Sequence, residues 1–461
     1  MSMMKGFSNA FRIPELRKKI LITLGLVAVC RLVSMIPTPG VDWVALTQAI
    51  ERIRQNAHGG GMLDWFSAFT GGALEQCSVG TLSIWPYISA QIVIQLLGSV
   101  IPPLAKLKKE GESGRQQLMQ ITRYLTIVLC VFQSWGIATM ISNPQAIGIG
   151  ENIVSNPGFG FNLMTVICMT TASLFVMWVA DQITTFGVGN GASLIIMINI
   201  TSRLPQALFE LYERYFGAAA AKGAAYAELA ILIAFFLAVV MGTVMLTQGV
   251  RKVVIHSTRR SVAGGNSYGM QQTFMPLRVN YTGVMPIIFA QPLIQIPSAI
   301  IQKFASPGSH LYEFASELAN PSALHITIYA VLILFFTFFW VATQFNAIDI
   351  SENLKKDGSY IPGIRPGRAT AEYLDATMTR LTFIGGFGLL LIAIIPMVLP
   401  MIFRSNGSEI SWTVTSFFGG TSLLIIVGVA LDTLRIMESH LLVRKYEGFL
   451  SHGTLRGRGG V

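Results

Sequence analysis

Nine stretches of at least 21 residues contain no Asp, Glu, Lys or Arg: 76–105, 124–150, 152–180, 182–202, 229–250, 279–302, 318–348, 381–403 and 410–431. An α-helix rises about 1.5 Å per residue, so each stretch can cross a hydrocarbon layer of roughly 30 Å. Backbone groups inside lipid must pair within the protein, so the stretches read as helices. The strands of a membrane β-barrel would instead be short and would alternate polar with apolar residues. Composition agrees: 52% of the 461 residues are hydrophobic and 12% are charged. That charge is about half the ~25% usual in soluble domains, too little to coat a soluble surface of this size. A soluble enzyme, a disordered chain and a secreted disulfide scaffold are disfavoured. The expected fold class is all-α, polytopic membrane.

A tenth span is expected at Ile20–Ile36, although Arg31 interrupts it. Basic residues test that number, because Lys and Arg concentrate in the cytoplasmic loops of membrane proteins. With ten spans, 1–19, 100–123, 181–190, 250–283, 345–380 and 435–461 share one face and carry 25 of the 33 Lys and Arg. The other face, comprising 37–81, 142–161, 202–228, 302–325 and 404–415, carries 7. Without the first span the division falls to 20 against 13. Ten spans with both termini cytoplasmic follow. Residues 1–19 are basic and polar, and the apolar stretch after them ends at Ile36-Pro37 without a small-residue cleavage site, so no cleaved signal peptide is expected. The net charge of +10 follows mostly from this topology and points only weakly to an RNA-binding partner. Cysteines at 30, 77, 130 and 168 lack CxxC spacing and read as small apolar side chains.

Three connections stand out. On the outer face, His58-Gly59-Gly60-Gly61 is a break, followed by the apolar, helix-like Met62-Leu63-Asp64-Trp65-Phe66-Ser67-Ala68-Phe69 and ended by Gly71-Gly72. A helix too short to span has two readings, interfacial or folded back into a cavity, and the pattern leaves both open. In 250–283, β-branched Arg251-Lys252-Val253-Val254-Ile255-His256 predicts a strand. Gly264-Gly265-Asn266-Ser267 predicts a turn, and Gln271-Gln272-Thr273-Phe274-Met275 a returning strand. In 345–380, Lys355-Lys356-Asp357-Gly358 precedes Ile361-Pro362-Gly363-Ile364-Arg365-Pro366-Gly367-Arg368, whose prolines stiffen the backbone that presents Arg365. Any one of these basic residues serves as a topology determinant. Two long basic loops on one face favour a docking surface.

No Walker A sequence, HExxH or GxSxG occurs, and the six histidines (58, 256, 310, 325, 440, 452) fall in the assigned loops, His325 at the very end of 302–325. Neither catalysis, a cofactor nor a metal is expected. Gly187-Val188-Gly189-Asn190-Gly191 follows a helix and predicts a tight turn into span five rather than a dinucleotide site. Only Arg31, Asp181 and Asp432 come near span positions. Span seven holds Pro286, Pro292 and Pro297 with Gln291 and Gln295; span two holds Pro86, Ser89, Gln91 and Gln95. Kinked helices glued by amides and helices lining a seam that opens are both consistent with this pattern.

The chain resembles the SecY/Sec61 family, the channel subunits of protein-secretion translocons. The resemblance rests on Pro86-Tyr87-Ile88-Ser89-Ala90, Lys108-Lys109-Glu110-Gly111-Glu112-Ser113-Gly114-Arg115, Gly187-Val188-Gly189-Asn190-Gly191 and Asn353-Leu354-Lys355-Lys356. It also rests on Pro362-Gly363-Ile364-Arg365-Pro366-Gly367, Met378-Thr379-Arg380-Leu381 and Gly419-Gly420-Thr421-Ser422-Leu423-Leu424. These run in order from about Arg17 to Tyr446. The resemblance implies a cytoplasmic N-terminus at 1–19, two inverted five-span halves at 20–208 and 209–437 around an hourglass pore, and a cytoplasmic tail at 438–461. It implies a pore ring of Ile84, Ile88, Ile196, Ile288 and Ile425, with Ala192 where isoleucine is common. A plug at about 62–75 (Met62, Leu63, Trp65, Phe66, Phe69) and a lateral gate with Ser89, Gln95 and Gln291 are implied as well.

Docking of a motor and the ribosome is implied for Arg259, Arg260, Lys355, Lys356, Arg365 and Arg368, with Gly264-Gly265 where a second basic pair is common. The implied partners are SecE and SecG subunits, the SecA motor ATPase, the ribosome with its RNA, signal peptides and nascent chains, and membrane lipids. The implied location is the bacterial inner membrane. The physics is compatible: an apolar ring closes around varied polymers without reading them and excludes ions by dewetting. Two other classes make different demands on the sequence. A secondary transporter also uses broken helices but needs intramembrane coupling charges, which are scarce here. A membrane-embedded enzyme needs a catalytic constellation.

Overall fold

The computed structural model describes residues 13–42, 45, 70–142, 154, 156–216, 224–257, 272–306, 308–319, 322–405 and 421–452. Among them are fourteen helices: α1 (Pro14–Met35), α2 (Trp85–Val100), α3 (Pro102–Lys109), α4 (Glu112–Ser142), α5 (Phe159–Phe186), α6 (Gly191–Thr201), α7 (Leu204–Phe216), α8 (Ala224–Gln248), α9 (Met285–Phe304), α10 (His310–Ala319), α11 (Ala323–Gln344), α12 (Ala347–Lys356), α13 (Arg368–Ser405) and α14 (Thr421–His452). Three strands, β1 (Val250–Ser257), β2 (Gln272–Arg278) and β3 (Ser359–Tyr360), form one sheet. Each of the ten expected spans contains a helix. By length and hydropathy six helical stretches among the described residues can cross a membrane, and a seventh if α2 and α3, bent by 102°, count as one. The protein is a multi-pass, all-α membrane protein with a small sheet.

Two spans sit differently from expectation. The run 76–105 is only partly helical: residues 71–84 are turns, and Pro102 starts α3 in a new direction. Span five, expected at 182–202, lies later. Residues 182–186 finish α5, and the turn at 187–190 consumes four more. The membrane-length stretch is then Gly191–Glu213, which passes through Arg203. A run ended at the first charge misses a charge that the protein neutralises, and Arg203 pairs with Glu75.

The chain separates into two compact units. The first holds the described residues up to Pro205 and those from Val429 onward; the second holds Gln206–Gly428. In the first, α1 packs on α5 and α6, α2 on α3 and α4, and α4 on α5. The buried face of α4 is Thr122, Thr126, Cys130, Ser134, Ala138 and Ile141. These residues are mostly small and recur every four positions, which lets helices approach closely where lipid offers no hydrophobic drive. Its large apolar residues, Tyr124, Val128, Phe132 and Trp135, are exposed. Thr122 and Thr126 return their hydroxyls to carbonyls one turn earlier, at 2.8 and 2.7 Å, so the polar stripe is self-satisfied.

In the second unit, α9 packs on α10 and α11, and α13 on α8, α11 and α12. The sheet order is β2-β1-β3, both pairings antiparallel, with Val253 opposite Met275 and His256 opposite Tyr360. The two predicted strands pair antiparallel, the second running on to Arg278; the predicted turn at Gly264-Gly265-Asn266-Ser267 lies outside the described residues. Pro276 lies in β2, an edge strand, where a missing amide does least harm. The third strand was not expected: residues 359–360 add to the free side of β1, so both long loops share one sheet. Beneath it Val253, Leu277, Ile361, Ala371, Leu374, Met378 and Leu381 form a closed apolar core.

Candidate functional site

The residues expected to form a ring lie at helix beginnings and on one helix face. Ile84 is the N-cap of α2 and Ile88 follows one turn later. They are 3% and 6% exposed. The chain reaches Ile84 through a knot of turns at 70–84. Thr38 Oγ1 and its amide both donate to the Cys77 carbonyl, at 2.6 and 3.0 Å, and the Val79 amide donates to Ile36 O at 2.8 Å. Gly80 presses on α1, where a Cβ would meet Ser34 Cα at 3.0 Å. Ser83 takes the left-handed conformation at φ 47°, uncommon for a residue with a Cβ, and directs the chain into α2.

On α6, Ile196 is buried and Ala192 half-buried. The helix starts at the predicted turn. Asn190 caps it, accepting from the Ser193 amide at 3.2 Å. The Val188 amide donates to Thr23 Oγ1 on α1 at 3.1 Å. Gly191 has no room for a side chain, because a Cβ would lie 2.0 Å from the Ala180 carbonyl oxygen. Gly191 therefore serves close packing of α5 against α6, in line with the turn reading.

In the second unit Ile288 lies in the first turn of α9 and Ile425 in that of α14; they are 3% and 0% exposed. A Cβ at Gly428 would meet Val284 Cγ1 at 2.8 Å, so the two helices approach closely beside both isoleucines. Phe289 fixes α9 against α11, with Phe336 at 6.2 Å and Trp340 at 5.1 Å between ring centroids. Gln291 is buried and its Oε1 has no hydrogen-bond partner among the described residues, whereas Ser89 satisfies its hydroxyl on Trp85 O at 3.1 Å. Gln95 on α2 is half-buried.

Lys355 and Lys356 end α12, both exposed. Arg365 is exposed on a short loop tied down at both ends. The Ile364 amide donates to Ile361 O at 3.1 Å, and Thr370 Oγ1 donates to the Arg365 carbonyl at 2.9 Å. Arg368 pairs with Glu372 at 3.0 Å on the first turn of α13. Met62, Leu63, Trp65, Phe66, Phe69, Arg259 and Arg260 lie outside the described residues.

Sequence reasoning missed two features. Buried Asn199 and Ser83 form a polar cluster with half-buried Arg31 in the first unit: Asn199 Nδ2 donates to Ser83 Oγ at 3.0 Å, and Arg31 lies beside Asn199 Oδ1 at 3.4 Å. Arg203 forms a half-buried ion pair with Glu75. The available signal was a polar residue, Asn199, in an apolar run and seven positions beyond Ala192, hence on the same helix face.

The chain is similar to known proteins along nearly its whole length. A family model described as SecY matches residues 78–434. The protein translocase subunit SecY of Streptomyces scabiei is 41% identical over 456 residues, covering 97% of this chain and 100% of that one. That of Thermotoga maritima is 38% identical over 459 residues, covering 99% and 100%. That of Escherichia coli K12 is 38% identical over 448 residues, covering 96% of each. A structure described as that of a protein conducting channel superposes with a TM-score of 0.59 at 17% identity, over 93% of this chain and 92% of that one. Sec61 from the canine ribosome-channel complex of the endoplasmic reticulum gives 0.57 at 16% identity, over 92% and 93%. At such identities the structural likeness establishes a shared fold.

Proposed function

The chain belongs to the SecY family, and from that premise we propose that it is the protein-conducting subunit of a Sec translocase. It passes unfolded secretory proteins across the membrane and releases signal or transmembrane segments into lipid. The observation that carries this reading is the near full-length identity to translocase subunits. The burial of every assigned ring isoleucine supports it: Ile84, Ile88, Ile196, Ile288 and Ile425 are at most 6% exposed, in a protein many of whose other large apolar residues face outward. A ring of branched apolar side chains gives a passing chain no fixed partner to bind, and closes against ions by dewetting. Ala192 makes its part of the ring the least filled.

Ser89, Gln95 and Gln291 are assigned to the gate seam. A buried amide oxygen without a partner, such as that of Gln291, is costly while closed and adds little resistance to opening. The exposed cations Lys355, Lys356, Arg365 and Arg368 are assigned to docking of a SecA-like motor and of the ribosome; Arg259 and Arg260 carry over to the same role. SecE and SecG are the expected companion subunits, and the inner membrane with both termini cytoplasmic the expected placement. The test is reconstitution in proteoliposomes with the companion subunits, with and without the motor ATPase and ATP, scoring protease protection of a secretory precursor. Protection that needs both motor and ATP is expected. Ion-driven uptake of a small solute without the motor would replace this reading with a transporter.

A further inference from the structure

We infer that Asn199 is a positioning residue that sets the spacing between the α2 and α6 portions of the apolar ring. This rests on the channel reading for its consequence and on geometry within the first unit for its substance. Ala192, Ile196 and Asn199 stand at i, i+4 and i+7 on α6 and share one face. Asn199 is 3% exposed, and its Nδ2 donates to Ser83 Oγ at 3.0 Å. Ser83 immediately precedes Ile84 and is 5% exposed. One buried hydrogen bond therefore joins the residue ending the Ala192–Ile196 stripe to the residue opening the Ile84–Ile88 turn.

The amide cannot point either way. Arg31 carries only donors, and its Nη1 lies 3.4 Å from Asn199 Oδ1. The carbonyl end is thereby turned to the guanidinium and the amino end to Ser83. The contact is long, so the attraction is mainly that of a charge for a dipole in a low-dielectric setting. Arg31 Nη2 also reaches the Gly71 carbonyl at 3.5 Å, and Ser202 Oγ donates to the backbone carbonyl of Asn199 at 2.7 Å, which ties down the end of α6 but not the side-chain amide. Apolar side chains packed between helices tolerate sliding. A buried directional bond does not, and fixing register is the best-attested use of such a group. Ser83 holds a left-handed backbone at φ 47°, a conformation that persists only where surroundings enforce it. The bond from Asn199 is one such restraint. With the small Ala192 in the ring, tightness there depends on how close α6 is held to α2.

The test compares Asn199→Leu, Asn199→Asp and Ser83→Ala in the assembled translocase. Aspartate keeps an acceptor for Arg31 and accepts from the Ser83 hydroxyl, so it restores the bond with its direction reversed; leucine keeps the bulk and removes both. Two readouts are taken: resting ion conductance in planar bilayers, and the oxidation rate of a cysteine pair introduced at positions 84 and 196 in a background without native cysteines. Asn199→Leu and Ser83→Ala are expected to raise resting conductance about fivefold, the weight of one lost buried hydrogen bond. Their cysteine oxidation rates should change by a similar factor. Asn199→Asp should stay near the parent in both, and the melting temperature should not rank the variants. Parental conductance and parental oxidation rate in Asn199→Leu would overturn the assignment. Oxidation rate does not depend on transport, so a changed rate with no precursor translocation by the parent would strike the channel reading and leave the positioning role standing.

Discussion

Arg31 and Arg203 bring positive charge to the ends of apolar helices, and each is met by a different device. A cation well inside a membrane helix costs about 2.5–3.5 kcal/mol unless it finds partners. Arg203 finds a carboxylate: its side chain is 11% exposed and that of Glu75 23%. Replacing Arg203 with Gln removes the ion-pair partner of Glu75 and should cost about 1–3 kcal/mol, while Arg203→Gln with Glu75→Gln should recover most of it. A double-mutant cycle on thermal unfolding in detergent measures this; additive losses would mean the pair is not coupled. Arg31 instead finds an amide and a backbone carbonyl, and Gly71 makes room for it. A Cβ at Gly71 would lie 2.4 Å from Arg31 Nη1 and 3.0 Å from the Asn199 carbonyl oxygen, at φ 67°. Gly71→Ala should therefore destabilise by about 1–3 kcal/mol, read as a lowered melting temperature. Arg31 was conspicuous in the sequence because charge interrupts an apolar run. Asn199 was not, because an uncharged amide leaves such a run intact, and its partner Ser83 is 116 residues away.

Helices were legible in this chain wherever apolarity alone decides them, and misplaced wherever turns or pairing intervene. Residues 76–84 are as charge-free as a span, yet Gly80 and the left-handed Cys77 and Ser83 fold them into turns against α1. The hairpin β1–β2 was readable from β-branched residues around a glycine pair. The strand β3 was not, since two residues carry no period and pair only because β1 has a free side. That pairing joins the two basic loops through one core, in which Leu277 is 5% exposed. Leu277→Ala should cost the sheet about 2–4 kcal/mol. Hydrogen exchange should then quicken in 250–257 and in 359–364 together, and leave α4 unchanged. Faster exchange in β2 alone would show that the two loops do not share stability.

At the scale of the whole molecule, orientation is decided by charge that no local contact explains. Five of the basic residues lie in 1–19, before a helix whose own sequence does not say which way it crosses. The positive-inside rule sums such segments, and 25 against 7 favours one orientation across all ten spans. On that reading the two faces would also differ in build. One carries Lys356 and Arg365 beside a sheet with its own core. The other includes α10, whose Leu311 is 60% exposed. Single cysteines at positions 356 and 365, in a cysteine-free background, should react with a membrane-impermeant maleimide only from the side to which a motor is added. A cysteine at 311 should react only from the opposite side. One span, α11, separates position 311 from 356 and 365, so a reversed result at one loop alone would mean that α11 does not cross and that its apolar residues sit in water. The labelling should therefore be all one way or all the other, and reversal at all three sites would overturn the cytoplasmic placement of both termini.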